Sequence, residues 1–105
     1  MTISDISEKY GLTKDTLRYY EKEGIIPLVP RDENGFRVYD EEAEGWVEFA
    51  VCMRDAGVSI ASLARYVRLS QEGDATVEER RNILIEERIL LEGRMKRLDY
   101  NTNLN

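Results

Sequence analysis

Histidine is absent from this chain, and cysteine occurs once, at Cys52. Without an imidazole there is no ordinary base poised near neutral pH, and one thiol gives little from which to build a zinc or copper site. Neither a glycine-rich phosphate loop nor a pair of carboxylates in a plausible cleft is present, so no catalytic constellation is found, and neither an enzyme nor a cofactor is expected. There is no apolar run of 18 or more residues and no basic-then-apolar leader; neither a membrane span nor export is expected. A single cysteine fits a reducing, cytoplasmic location. Proline is scarce too, only Pro27 and Pro30, which leaves most of the 105 residues open to helix.

Charge is plentiful, 34% of residues, and its balance of −6 argues at first sight against nucleic acid. Its distribution argues otherwise. Residues 1–39 hold six cations against seven anions, residues 40–73 three against seven, and residues 74–105 six against seven. The acidity sits in the middle, around Asp40–Glu44, and the first third can still present a basic face.

Thr2 with Asp5 three residues later resembles a capping box, Ile3, Ile6 and Tyr10 keep one apolar face, and Gly11 stops the helix. Thr13 then caps a second short helix, so two helices meet at a tight turn, a helix-turn-helix over about 2–23. On the second helix Leu17 and Tyr20 face one way; Asp15, Arg18, Tyr19 and Lys22 face the other, with Lys14 at the edge. Lys14, Arg18 and Lys22 recur at i, i+4, i+8, where like charges cost a few tenths of a kcal/mol per pair, roughly. Two readings are open: an ordinary solvated face, or one that meets phosphate.

In residues 25–39, Asn34-Gly35 signals a tight hairpin in which both residues take positive φ. Phe36 and Val38 then alternate with Arg37 and Tyr39, predicting an apolar face and a polar face, with Arg31 and Arg37 near the tip. The prolines confine the first strand to an edge. A hairpin behind a helix-turn-helix is a wing. Asp40 caps a third helix with Trp46, Phe49, Ala50 and Met53 inward; Ser59 caps a fourth with Ile60, Leu63 and Val67 inward, ending the unit at Gly73. Gly45 inside the third helix has no account in the sequence.

Thr76 with Glu79 predicts a second capping box, opening a helix that reaches about Tyr100 before a frayed polar tail. Val77, Leu84, Leu91 and Leu98 recur every seven residues, widened by Ile83, Leu90 and Met95, while Arg80, Glu87 and Arg94 break a strict heptad. The helix either folds back on its own domain or pairs with a second copy. Pairing is favoured, because four short helices have little surface to spare. Val77, Leu84, Leu91, Met95 and Leu98 are the expected dimer seam.

The stretch TISDISEKYGLTKDTLRYYEKEGII followed by NGFRVYDEE resembles the DNA-binding domain of MerR-type bacterial transcription regulators. The likeness lies in a T-L-R-Y-Y-E recognition helix and a G-[YF]-R-x-Y wing, continues in DAGVSI, and covers residues 2–73. It implies a mainly α, winged helix-turn-helix unit (1–73) with a small β-hairpin wing. A long C-terminal helix (74–105) would dimerise as an antiparallel coiled coil. It implies a homodimer on a palindromic, double-stranded promoter site, distorting the DNA and so acting indirectly on RNA polymerase. Carried over by position, Arg18, Tyr19, Arg37 and Tyr39 contact DNA or support contact. Geometry places Lys14 and Thr16 near base edges, and Lys22 and Arg31 near phosphate.

The absence of cysteines around the long helix departs from metal-sensing members, and no ligand domain follows as in drug-sensing ones. What remains resembles the short thiol- or aldehyde-responsive branch, whose cysteine lies in the third helix, as Cys52 does. The local charges are unhelpful, since Glu48 and Asp55 oppose a thiolate, and burial beside Met53 as a small hydrophobe is the competing reading. A helical module whose wing binds protein rather than DNA is the alternative from another class.

Overall fold

The computed structural model describes residues 1–73 and 76–103. Among them are five helices: α1 (Ile3–Tyr10), α2 (Lys14–Lys22), α3 (Glu41–Asp55), α4 (Ile60–Gln71) and α5 (Val77–Asn103). None is long and apolar enough to cross a membrane. The expected division after Gly73 adjoins Asp74 and Ala75, which lie outside the described residues, as do Leu104 and Asn105 of the polar tail. Asn101–Asn103 continue α5 rather than fraying beyond Tyr100.

Side-chain caps start the first four helices. Thr2 and Asp5 close a reciprocal box, 2.9 and 3.2 Å, and the Thr2 backbone N–H holds the Asp5 carboxyl below its ordinary range. Gly11 leaves α1 in the left-handed conformation, and Thr13 Oγ1 accepts from the Thr16 N–H at 3.0 Å to start α2. Asp40 and Ser59 cap α3 and α4. These caps fix the corner between α1 and α2, and Ile6 and Leu17 fill its inside with no exposure at all. Glu44 of α3 accepts from Lys9 and from the Tyr10 hydroxyl (2.9 Å), joining α3 to α1.

The buried face of α3 is Ala43, Val47 and Ala50; of the expected Trp46, Phe49, Ala50 and Met53 only Ala50 is fully buried. Small residues let α3 come close to α1; the larger side chains are half-buried along the margin. Trp46 meets Phe49 edge-on at 5.8 Å, and Phe49 stacks on Tyr66 of α4 at 5.2 Å. On α4 the buried line is Leu63, Val67 and Leu69, running toward the turn into α5, and Ile60 is left exposed.

Thr76 spends its hydroxyl proton on the carbonyls of Leu69 (2.6 Å) and Gly73 (2.9 Å), tying the start of α5 back to α4 rather than forming the expected box with Glu79. Ile83 and Glu87 are buried against the chain's own domain. Glu87 accepts from Ser62 Oγ at 2.6 Å, Arg94 donates to the Gly57 carbonyl at 3.2 Å, and the Arg80 guanidinium lies 6.0 Å over the Tyr66 ring. The polar residues that break the heptad therefore help to dock α5 on α4 and on the turn before it. Leu84 and Leu91 are half-buried beside them, and Val77, Ile89, Leu90, Met95 and Leu98 are exposed.

Candidate nucleic-acid interface

The wing is smaller than a two-stranded hairpin. Its pairing reduces to one antiparallel bridge between Arg31 and Arg37, because Pro27 and Pro30 remove ladder donors just before it. Asp32 and Phe36 close a three-residue loop (Asp32 N–H to Phe36 C=O, 2.9 Å), and Asp32 Oδ1 accepts from the Asn34 and Phe36 N–H groups. Only Gly35 takes positive φ, at 82°; Asn34 does not. The loop is a type I turn followed by a left-handed glycine, not the expected two-residue turn. The Asp32 side chain selects it.

The expected alternation is reversed. Phe36 is 70% exposed and Val38 37%, whereas Tyr39 is buried and Arg37 half-buried. The cause is Glu21. Its carboxylate, on the inward flank of α2, lies 3.2 Å from Arg37 Nε and 3.9 Å from Arg31, and accepts from the Val29 N–H at 3.4 Å. A carboxylate with that much of its surface removed from water draws the arginine stems down over it. Tyr39 follows into the core beneath. Its hydroxyl has no hydrogen-bond partner among the described residues, and burial pushes its pKa up. Tyr39 thus lies in the core cluster and not on the wing's surface.

The outer face of α2 has the exposure expected of it. Lys14, Arg18, Tyr19 and Lys22 are exposed on α2, while Leu17 and Tyr20 are buried. Arg54 of α3 donates to the Tyr20 hydroxyl at 3.1 Å, pinning the helix from behind. Lys14, Arg18, Arg31 and Arg37 line one open groove of about 820 Å³, with the first turn of α1 on its far side and Phe36 at its lip. Lys22 and Tyr19 stand outside that groove, along the same helix. Thr16 is half-buried and shares a hydroxyl hydrogen bond with Thr13, so it serves the cap. Arg18 reaches Asp15 at 3.0 Å, an exposed pair worth little and easily exchanged for a phosphate.

Glu21 is the residue that sequence reasoning missed. An acid on the flank of α2 that docks on the domain was the available signal, since it needs a cationic partner when the helix docks. Cys52, on α3, is exposed rather than buried at the margin. Its nearest acid along the helix, Asp55, is engaged by Arg54 at 3.2 Å.

The family model for MerR helix-turn-helix regulatory proteins matches residues 1–70. Among curated proteins, the transcriptional regulator AdhR of Bacillus subtilis is 53% identical over 88 residues, covering 84% of this chain and 63% of its own length. An uncharacterised regulator of Haemophilus influenzae is 37% identical over 79 residues, covering 75% and 58%. The chain thus spans about 60% of the length of these curated relatives. A structure of a MerR family regulator from Listeria monocytogenes superposes with a TM-score of 0.92 at 39% identity, covering 98% of this chain and 78% of the other. HiNmlR, described as a MerR family regulator lacking the sensor domain and bound to promoter DNA, superposes with a TM-score of 0.86 at 30% identity, covering 98% and 82%.

Proposed function

Because the chain belongs to the MerR family of helix-turn-helix regulators, we propose that it acts as a homodimer on a palindromic promoter site, distorting the duplex and so setting how RNA polymerase uses it. The observation that carries the reading is the single groove into which α2 sends Lys14 and Arg18 and the wing sends Arg31 and Arg37. Four cations on two elements match a duplex backbone better than a small anion, and one face of α2, with Lys14, Arg18, Tyr19 and Lys22, is exposed for entry into a major groove. The DNA-bound state of HiNmlR supports the same use of this fold.

This also gives the lysine–arginine row its purpose. Repulsion along α2 in the free protein is relieved when phosphates replace counterions, and the released ions add affinity. Two heads at a fixed separation read a palindrome, which is why the exposed apolar residues of α5 are assigned to a second copy. The likeness to the thiol- or aldehyde-responsive branch, with Cys52 exposed on α3, supports regulation through that thiol.

The test is a mobility shift on the promoter upstream of the protein's own gene, followed by a salt titration. Specific binding that weakens steeply with salt, by a log–log slope near 0.9 per phosphate neutralised, is expected. Binding that ignores salt and sequence would favour a protein-binding module instead.

A further inference from the structure

Tyr19 and Tyr20 are neighbours in the sequence, about 100° apart around α2, and they face different surroundings. Tyr19 is 42% exposed on the outer face, whereas Tyr20 is buried at 5%. A buried tyrosine needs a partner for its hydroxyl. Arg54, in the last turn of α3, supplies it at 3.1 Å. Among the described residues this is the one hydrogen bond between α2 and α3. The other arm of the guanidinium is held by Asp55 at 3.2 Å. The turn that follows is fixed in its own right, since Arg94 of α5 donates to the Gly57 carbonyl. Arg54 is not among the residues that line the basic groove.

A helix of nine residues is oriented by what holds its two ends. The N-terminal end of α2 is fixed at the corner with α1, by the Thr13 cap and by Leu17 in the core with Ile6. At the other end the Tyr20 carbonyl accepts from the N–H groups of Ile25 (2.8 Å) and Ile26 (3.3 Å), closing the turn toward the wing. Those bonds are local to the chain and move with the helix. The Tyr20 hydroxyl is what ties that end to a different element.

We propose that Arg54 is a positioning residue for DNA reading: acting through the Tyr20 hydroxyl, it fixes the angle at which Arg18, Tyr19 and Lys22 enter a duplex groove. The proposal rests on the DNA-binding reading and deepens it. Attraction to phosphate depends on charge and tolerates a tilt of the helix, whereas base readout requires side chains held in place by the residues behind them. Losing the tie therefore costs discrimination between sequences and spares non-specific binding. The competing role for a cation beside the recognition helix is a direct phosphate contact. The two roles part at Tyr20, whose hydroxyl is buried and carries no charge.

The test compares the full chain with Tyr20→Phe, Arg54→Ala and the double variant, by fluorescence anisotropy on operator and random duplexes across a salt series. Tyr20→Phe keeps the buried ring and the net charge. It lowers the ratio of operator to random affinity about tenfold, the scale of one hydrogen bond to a charged group, with random-duplex affinity and salt slope unchanged. Arg54→Ala lowers the ratio to a similar extent, and the double variant loses no more than either one, because the two residues act as a unit. Additive losses overturn the proposal. So does an Arg54→Ala protein that weakens on both duplexes alike, with a salt slope lower by about 1, while Tyr20→Phe binds as the parent does; that pattern makes Arg54 a phosphate contact. A parent that does not discriminate operator from random duplex removes the DNA-binding reading itself. Amide hydrogen exchange of the DNA-free proteins then judges the tie separately. Tyr20→Phe speeds exchange at Tyr20 to Lys22 beyond any change at Leu63 and Val67 of α4, and equal changes in both helices overturn it.

Discussion

Glu21 of the recognition helix and Arg37 of the wing lie 3.2 Å apart, both mostly shielded from water, with 9% and 19% of their side-chain surface exposed. This pair joins the two elements that line the groove. It separates two expectations for Glu21→Gln. Deleting a negative charge from a DNA-facing surface raises the long-range attraction for any duplex. Deleting the anchor also lets Arg31 and Arg37 swing free. We expect geometry to dominate for the operator: about tenfold weaker specific binding, with non-specific binding unchanged or tighter. The fold should lose about 1–3 kcal/mol, the cost of stranding one partner of a shielded pair. Fluorescence anisotropy on operator and random duplexes, with thermal unfolding alongside, checks both. Tighter operator binding would show that Glu21 is only an electrostatic brake.

Arg18→Ala should weaken operator binding by about 1–3 kcal/mol without touching the fold, because its hydrogen-bond partner among the described residues is the exposed Asp15. Lys22 stands outside the groove, beyond the wing's reach. Its replacement by Ala should weaken all duplexes alike and lower the salt slope by about 1. Should both variants bind as the parent does across a salt series, this face is not the DNA-binding face.

The seam calls for a different choice of mutation than the heptad alone suggests. Leu91 is half-buried on its own domain, where its Cδ2 would stand 3.1 Å from a Cβ placed on Gly57. Leu91→Asp therefore damages the protomer as well as any pairing. Met95→Asp acts on an exposed position. It should leave the Tm of the domain nearly unchanged while raising the dimer dissociation constant at least tenfold, since a carboxylate resists burial in an apolar contact. Leu84→Asp should do both. Analytical ultracentrifugation with circular dichroism sorts the three; a Met95→Asp protein as dimeric as the parent moves the seam elsewhere on α5.

Local rules wrote much of this structure plainly. The caps at Thr2, Thr13, Asp40 and Ser59 and the apolar side of α2 need only neighbours a few residues away, and they stand where the sequence put them. What escaped depends on partners distant in sequence. Arg37 turns inward because Glu21, sixteen residues earlier, waits there, and Tyr39 because its ring joins the apolar core. α3 buries Ala43, Val47 and Ala50 because close helix approach rewards small side chains over large ones. Arg80, Glu87 and Arg94 read as faults in a heptad, yet they meet Tyr66, Ser62 and Gly57. Gly45 has no steric reason even with its surroundings visible.

Glu44 links acid sensitivity to the corner between α1 and α3. The hydrogen bonds from Lys9 and Tyr10 hold its carboxyl below the ordinary value of 4.5. A folded-state pKa below the unfolded one means that the contribution is present above about pH 4.5 and is lost as pH falls through the folded value. Lys9 is raised by the same bond, so its share persists below pH 10.5 and fades only as pH rises past its folded value. Glu44→Gln should therefore be less stable than the parent at pH 7, with the difference shrinking steadily on acidification below pH 4.5. Denaturant midpoints measured from pH 7 to pH 3 test it; a constant gap would assign the loss to packing.

Cys52 is the remaining test, and exposure decides how it is run. A buried thiol would resist alkylation in the native state and could matter only as a small hydrophobe. An exposed one is open to reagent, and replacing it costs little packing. Cys52→Ala should unfold within about 0.5 kcal/mol of the parent, the range of ordinary surface changes. It should also dimerise and bind the operator as the parent does. The parent should react with iodoacetamide in the folded state at a measurable rate. The transcriptional readout completes the argument: a promoter that responds to aldehydes or oxidants in the parent falls silent to them in Cys52→Ala. A full response in that variant would leave this thiol without a signalling role, whatever its exposure.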